Sequence, residues 1–214
     1  AFWLARQQQS IRHAALLGWA FGTGYFLHSL HWIVSPFLVD VPRHGWMAPF
    51  ALVFMAAGLA LFWGAAFAGG RYLSRKSLWP VALCLAAAEM IRAYIFTGFP
   101  WATPAQALVD VAAGQGLAFV GPHGVNLTLL ICAALAAGAT RHGAARFVGG
   151  ISAAAAAALL LLPPYAPTAP MTDHTLRLIQ PNAPQKDKWD PDKAYTFYYR
   201  QLELTAAPPH ASGQ

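Results

Sequence analysis

The chain has 214 residues, of which 57% are hydrophobic and only 10% charged. Soluble domains carry about 25% charged residues, so this composition excludes an ordinary soluble protein and points to a membrane. Fourteen Lys and Arg against eight Asp and Glu give a net charge of +6, but the basic residues punctuate apolar stretches instead of forming one face, which excludes a nucleic-acid surface.

The chain opens on Ala1, and Ala1-Phe2-Trp3-Leu4-Ala5 reads as the tail of an earlier helix, with no recognisable signal peptide. Five apolar stretches, near 14–36, 46–68, 78–96, 116–138 and 144–162, reach the roughly 20 residues that a bilayer-crossing helix needs. In the first, Gly18 and Gly22 have the small-xxx-small spacing of close helix packing. Trp32, Trp46, Trp79 and Trp101 near the ends of stretches fit an interfacial aromatic belt.

Orientation follows from the basic residues of the short loops. Arg6 and Arg12, then Arg71, Arg75 and Lys76, then Arg141 and Arg146 fall on one side, whereas residues 37–45 and 97–115 hold only Arg43. The N-terminus is therefore expected in the cytoplasm, and the residues after Pro163 outside.

Polar residues within the spans then fall at one depth. His28 and His31, Glu89 and Arg92, and His123 and Asn126 all lie in outer halves, a pattern that predicts a polar chamber open to the outer face. An ionisable residue in lipid costs roughly 2.5–3.5 kcal/mol on insertion scales, and Glu89 and Arg92, three apart, share a helix face. Two readings of that pair stand: a structural ion pair between helices, or part of a functional site. His28 and His31 share no span with an acidic or cysteine ligand, so no metal site is expected. Cys84 and Cys132 lie in apolar spans and read as small buried hydrophobes. His123 and Asn126 read as interhelical hydrogen-bonders.

Past Pro163-Pro164-Tyr165-Ala166-Pro167, which ends the fifth helix, the character changes. Residues 175–180 read as a strand. Asp190 reads as an N-cap with Pro191 at the first helical position, and Tyr195, Tyr198, Tyr199 and Leu202 supply an apolar stripe. One strand and one helix cannot bury a core alone.

Two stretches resemble the bacterial apolipoprotein N-acyltransferase family: Glu89-Met90-Ile91-Arg92 with Thr97-Gly98-Phe99-Pro100-Trp101, and residues 180–190 around Gln180-Pro181-Asn182 and Lys188-Trp189-Asp190. Residues 18–36, with Gly22-Thr23-Gly24 and Trp32, are similar as well. The resemblance implies an all-α polytopic membrane helix bundle over residues 1–163, a linker over 164–173, and at 174–214 the first βα unit of a nitrilase-like αββα domain on the periplasmic side of the bacterial inner membrane. It implies an acyltransferase that moves an acyl chain from a phospholipid, typically phosphatidylethanolamine, to the α-amino group of a lipoprotein's diacylglyceryl-cysteine through a cysteine thioester. No cofactor is implied.

The family's catalytic Glu, Lys and Cys belong to the nitrilase-like domain, beyond Gln214. The 214 residues alone are therefore expected to be a catalytically inactive part of the enzyme, lacking further spans at both ends. Matching motif positions assign Glu89, Arg92, Phe99 and Trp101 to the chamber rim and lipid side, where the Arg92 fork suits a phosphate. Trp189 is assigned to the active-site mouth. A small transporter or channel using the Glu, Arg and His cluster is the competing reading; no internal repeat supports it.

Overall fold

The structure is a computed structural model that describes residues 2–7, 10–75, 77–137, 144–161, 177–184, 187–188 and 190–208. Helices dominate: α1 (Phe2–Gln7), α2 (Ile11–Ser29), α3 (Val41–His44), α4 (Ala48–Leu73), α5 (Trp79–Tyr94), α6 (Leu117–Ala137), α7 (Ala144–Leu161) and α8 (Pro191–Ala206). Short 3-10 turns at His31–Leu38, Gly45–Met47, Ile95–Thr97, Pro104–Leu108 and Ala112–Gly116 join them. The residues divide into two compact units, Ala1–Trp32 with Ala51–Ala166, and Ile33–Phe50 with Pro167–Gln214.

Each expected apolar stretch meets a helix. Among the described residues three stretches, Val41–Leu73, Trp79–Thr97 and Ala112–Ala137, are long and apolar enough to cross a membrane. At 1.5 Å per residue α4 alone runs about 39 Å, more than the ~30 Å hydrocarbon thickness. Large apolar side chains such as Phe54, Leu61 and Leu83 stand exposed on these helices, an outward surface suited to lipid.

In the first unit, α2 buries Ala14, Gly18, Gly22 and Phe26, one residue per turn along one stripe. Facing it, α4 buries Ala56, Ala60, Trp63 and Phe67, at steps of four, three and four residues. The missing side chain of Gly18 is what permits this approach: a Cβ there would lie 2.6 Å from the Trp63 carbonyl oxygen and 2.7 Å from the Phe67 ring. A Gly22 Cβ would be 3.1 Å from that of Ala60. The glycine pair thus works as its spacing predicts. The Trp19 indole N–H adds a bond to the Ala57 carbonyl at 3.0 Å across the same seam. Beyond it, α5 packs on α6, and α6 on α7.

Pro80 sits in the first turn of α5, where its absent N–H is no loss. The helix stops where Ile95 turns extended, ψ 150°. Within α6 the backbone breaks at Gly121, φ 65° and ψ 179°, just before Pro122.

In the second unit, Asp190 caps α8 as expected, accepting from the Asp192 N–H at 3.0 Å, with Pro191 opening the helix. The Arg177 guanidinium reaches the far end and donates to the carbonyls of Thr205 and Ala207 at 2.8 and 2.6 Å. Arg200 donates back to the Pro181 carbonyl at 3.1 Å. Residues 177–180 run as irregular chain, not the expected strand, and no strand exists among the described residues. A strand needs a neighbour to satisfy its backbone groups, and here the side chains of Arg177 and Arg200 hold the segment instead. Residues 175 and 176 of that expected strand lie outside the described residues. The stripe of α8 stays uncovered, with Tyr195, Tyr198 and Tyr199 all exposed.

Candidate functional site

The Glu89–Arg92 pair is the most buried charge among the described residues, each residue 1% exposed. One turn apart on the inner face of α5, the two side chains meet as a fork on a fork. Arg92 Nη2 donates to Glu89 Oε2 at 2.7 Å and Nε donates to Oε1 at 3.1 Å. The second oxygen lone pair takes the Trp63 indole N–H from α4 at 2.7 Å. The Phe26 ring of α2 lies 5.2 Å from the guanidinium carbon, a cation–π contact in a desolvated setting.

The remaining arm of Arg92 shapes the chain that follows α5. Nη1 donates to the carbonyls of Phe99 and Trp101, at 2.5 and 2.9 Å, while the Phe99 N–H returns to the Arg92 carbonyl at 3.1 Å. Between these ties the backbone is forced into the left-handed region at three successive residues: Phe96 (φ 53°), Thr97 (φ 75°) and Gly98 (φ 85°). An aromatic and a β-branched residue rarely adopt this conformation, and each costs on the order of 1–3 kcal/mol. Gly98 suits its position, since a Cβ would run into the Ala93 carbonyl oxygen. The strain is held by the buried arginine.

This loop delivers Trp101 against Trp32, their rings stacked at 5.2 Å, with Phe99 behind at 6.4 Å from Trp101. The two tryptophans wall a cavity of about 420 Å³ that is also lined by His28, His31, Tyr25, Ser29, Thr103 and Gln106. A larger apolar cavity of about 470 Å³ lies along α6, reaching from Leu108 past Phe119 and Val125 to Cys132.

Of the six polar residues expected to share one chamber, His28 and His31 line this cavity and the other four do not. His28 and His31 reach the cavity; Glu89 and Arg92 lie beneath the loop that forms its rim, their charges spent on each other, on Trp63 and on carbonyls. From α6, His123 Nε2 meets the Tyr94 hydroxyl at 3.3 Å, joining α6 to α5. Asn126 is 1% exposed and its Oδ1 has no hydrogen-bond partner among the described residues. Trp101 lines the cavity, and Phe99 packs against Trp101. Trp189 lies outside the described residues. Among those residues no cluster of three metal-ligating side chains exists. Both cysteines lie within helices, Cys84 on α5 and Cys132 on α6.

Sequence reading missed Trp63, Tyr25, Thr103 and Gln106. Trp63 carried a signal: it lies mid-span, not at an end, and an indole N–H in hydrocarbon needs an acceptor.

Residues 1–135 match the family described as Apolipoprotein N-acyltransferase N-terminal domain. A curated protein of that name from Caulobacter vibrioides is 37% identical over 209 residues, covering 94% of this chain and 39% of the relative. Namesakes from Sinorhizobium fredii and Rhodopseudomonas palustris are 34% and 32% identical, over 94% and 96% of this chain and 40% and 41% of their own lengths. The chain therefore spans about two fifths of the relatives it matches. No solved structure matches. With its membrane helices matched across residues 1–135 and its similarity to these relatives continuing over nearly all of its length, the chain belongs to the apolipoprotein N-acyltransferase family.

Proposed function

We propose that these residues form the membrane part of an enzyme that moves an acyl chain from a phosphatidylethanolamine-type phospholipid to the α-amino group of a lipoprotein's N-terminal diacylglyceryl-cysteine. The bundle spans the bacterial inner membrane five times with its N-terminus in the cytoplasm, the orientation that the loop arginines favour. The rim loop and α8 then face the periplasm, and α8 is the first helix of a nitrilase-like domain whose other elements cover its tyrosine stripe.

The observation that carries this reading is the arginine-held loop, which sets aromatic rings at the mouth of a cavity at one end of apolar helices. A lipid substrate needs such a place, where its polar end leaves the hydrocarbon and its ester meets a nucleophile. In this reading Glu89 and Arg92 are positioning residues, and Phe99 and Trp101 form the lipid-side rim, with Trp189 at the active-site mouth. Arg92 reaches substrate through the loop, because four of its N–H bonds are already committed. The chemistry is nucleophilic catalysis: a thiolate attacks the phospholipid ester, lysophospholipid leaves, and the lipoprotein amine attacks the thioester. Cys84 and Cys132, within helices, are poorly placed for it, and the catalytic Glu, Lys and Cys are assigned to sequence beyond Gln214.

The test is a chimera in which this chain replaces the matching two fifths of the Caulobacter vibrioides relative, expressed in cells depleted of their own enzyme. N-acylated lipoprotein, read by mass spectrometry of the N-terminal lipopeptide, is the expected result. A chimera that reaches the membrane at normal levels and leaves the lipoprotein amine free overturns the proposal.

A further inference from the structure

The cavity between Trp32 and Trp101 is lined by the Tyr25 hydroxyl, the His28 ring and two indoles, and by four further polar side chains whose donors turn to the backbone. Ser29 donates its hydroxyl proton to the Tyr25 carbonyl at 2.9 Å, and Thr103 donates its own to the Pro100 carbonyl at 2.8 Å. The Gln106 amide nitrogen turns to the same Pro100 carbonyl at 3.5 Å. His31 Nδ1 lies 2.7 Å from the His28 carbonyl, an oxygen that can only accept, so this nitrogen carries the proton and Nε2 of the neutral ring keeps a lone pair. Ser29, Thr103, Gln106 and His31 thus each spend a donor on the backbone and retain an acceptor: two hydroxyl oxygens, an amide oxygen and an imidazole nitrogen.

Two stacked indole rings also line the cavity, and no lysine or arginine among the described residues does. Nearby Arg92 is neutralised by Glu89. An anion would find no free cation here. A cation bearing several N–H groups would find lone pairs and aromatic faces together, the combination that binds ammonium groups.

We infer that this cavity binds the primary ammonium group of a lipid. The inference rests on the acyltransferase reading for its ligand class, and that reading supplies two sources of the same chemistry: the ethanolamine headgroup of a donor phospholipid and the free α-amino group of the acceptor cysteine. Held by the tryptophans at the membrane boundary, the ammonium anchors one end of the molecule while its acyl chains remain in the hydrocarbon.

The test needs no turnover. The full chain in detergent micelles is titrated, by native mass spectrometry, with dihexanoyl-phosphatidylethanolamine and with its N-acetyl derivative, which keeps the phosphate and acyl chains but removes the ammonium. A diacylglyceryl-cysteine peptide and its N-acetyl form make the second pair. Loss of about tenfold in affinity on acetylation of the phospholipid assigns the site to the donor headgroup, and the same loss within the peptide pair assigns it to the acceptor amine. Either gap should close in Trp32→Ala and persist in Trp32→Phe, which keeps an aromatic face. Equal affinities within both pairs overturn the inference, as does a gap that survives Trp32→Ala. Because the unsubstituted chain already decides between charged and acetylated ligand, a misfolded variant leaves the test intact. The chimera experiment separately decides the acyltransferase reading.

Discussion

The indole N–H of Trp63 on α4 donates to Glu89 Oε1 on α5 at 2.7 Å, with both residues almost wholly buried. The bond ties the ion pair of one helix to its neighbour and leaves Glu89 Oε1 shared between an indole and a guanidinium. Trp63→Phe should keep the stacking on Tyr25 and the contact with Phe26 while removing this donor. The expected cost is about 1–3 kcal/mol, the range for leaving a buried polar atom one bond short. Thermal unfolding in detergent checks it, and an unchanged midpoint would show that the bond contributes nothing.

Arg92 offers a sharper comparison. Its planar fork serves a carboxylate on one side and two carbonyls on the other, a span that a single ammonium does not reach. Arg92→Lys should therefore behave nearly as badly as Arg92→Met, each losing roughly 3–5 kcal/mol through the uncompensated Glu89 carboxylate. Adding Glu89→Gln to Arg92→Met should recover part of that loss. Limited proteolysis at the loop of residues 95–103 reads the same event locally. A lysine variant as stable and as protease-resistant as the parent would refute the bracing role.

Much of this was legible in sequence, and the limits have physical causes. The span positions follow from apolar run length, and the Gly18–Gly22 seam from spacing, because both depend on local pattern. Glu89 and Arg92 stood out because charge in an apolar run is rare. The direction of the Arg92 Nη1 arm was not legible, since it depends on a backbone reversal at Phe96 and Thr97 that neither residue favours. Trp63, a mid-span indole, signals that it needs an acceptor, but which acceptor is decided only by the register of α4 against α5. The strand near residue 177 failed for a related reason: strand pairing is decided by a partner, and the pattern of one segment cannot supply it.

Lys193 gives a pH-dependent prediction outside the membrane spans. Its amine donates to Asp187 at 2.7 Å, and that bond with the aspartate's charge raises its pKa above the ordinary 10.5. A raised lysine pKa means that the folded chain holds the proton more tightly. The stabilisation is present in full below 10.5 and fades as pH rises through the folded pKa. The group is fully exposed, so the effect is small and screened by salt. Carbon-13 NMR of labelled lysine should show Lys193 titrating at higher pH than in Asp187→Asn, with the difference shrinking in molar salt. Identical titrations would mean that the pair is not formed in solution.

Glycine substitutions test the α2–α4 seam most directly. A Cβ at Gly18 would overlap both the Trp63 carbonyl oxygen and the Phe67 ring, whereas one at Gly58, also helical, would meet nothing within 4 Å. Of the two overlaps, the ring can rotate but the carbonyl cannot move without its helix. Gly18→Ala should therefore push α4 away from α2 and weaken the Trp19–Ala57 bond that crosses the same seam. A loss of about 1–3 kcal/mol is expected, the usual range for overpacking a close contact. Gly58→Ala should stabilise by up to ~1 kcal/mol through helix propensity alone. Melting midpoints of the two variants in one detergent decide the point. Equal gains would mean that the two helices are not in contact at Gly18, and the buried stripe of α2 would then need another partner.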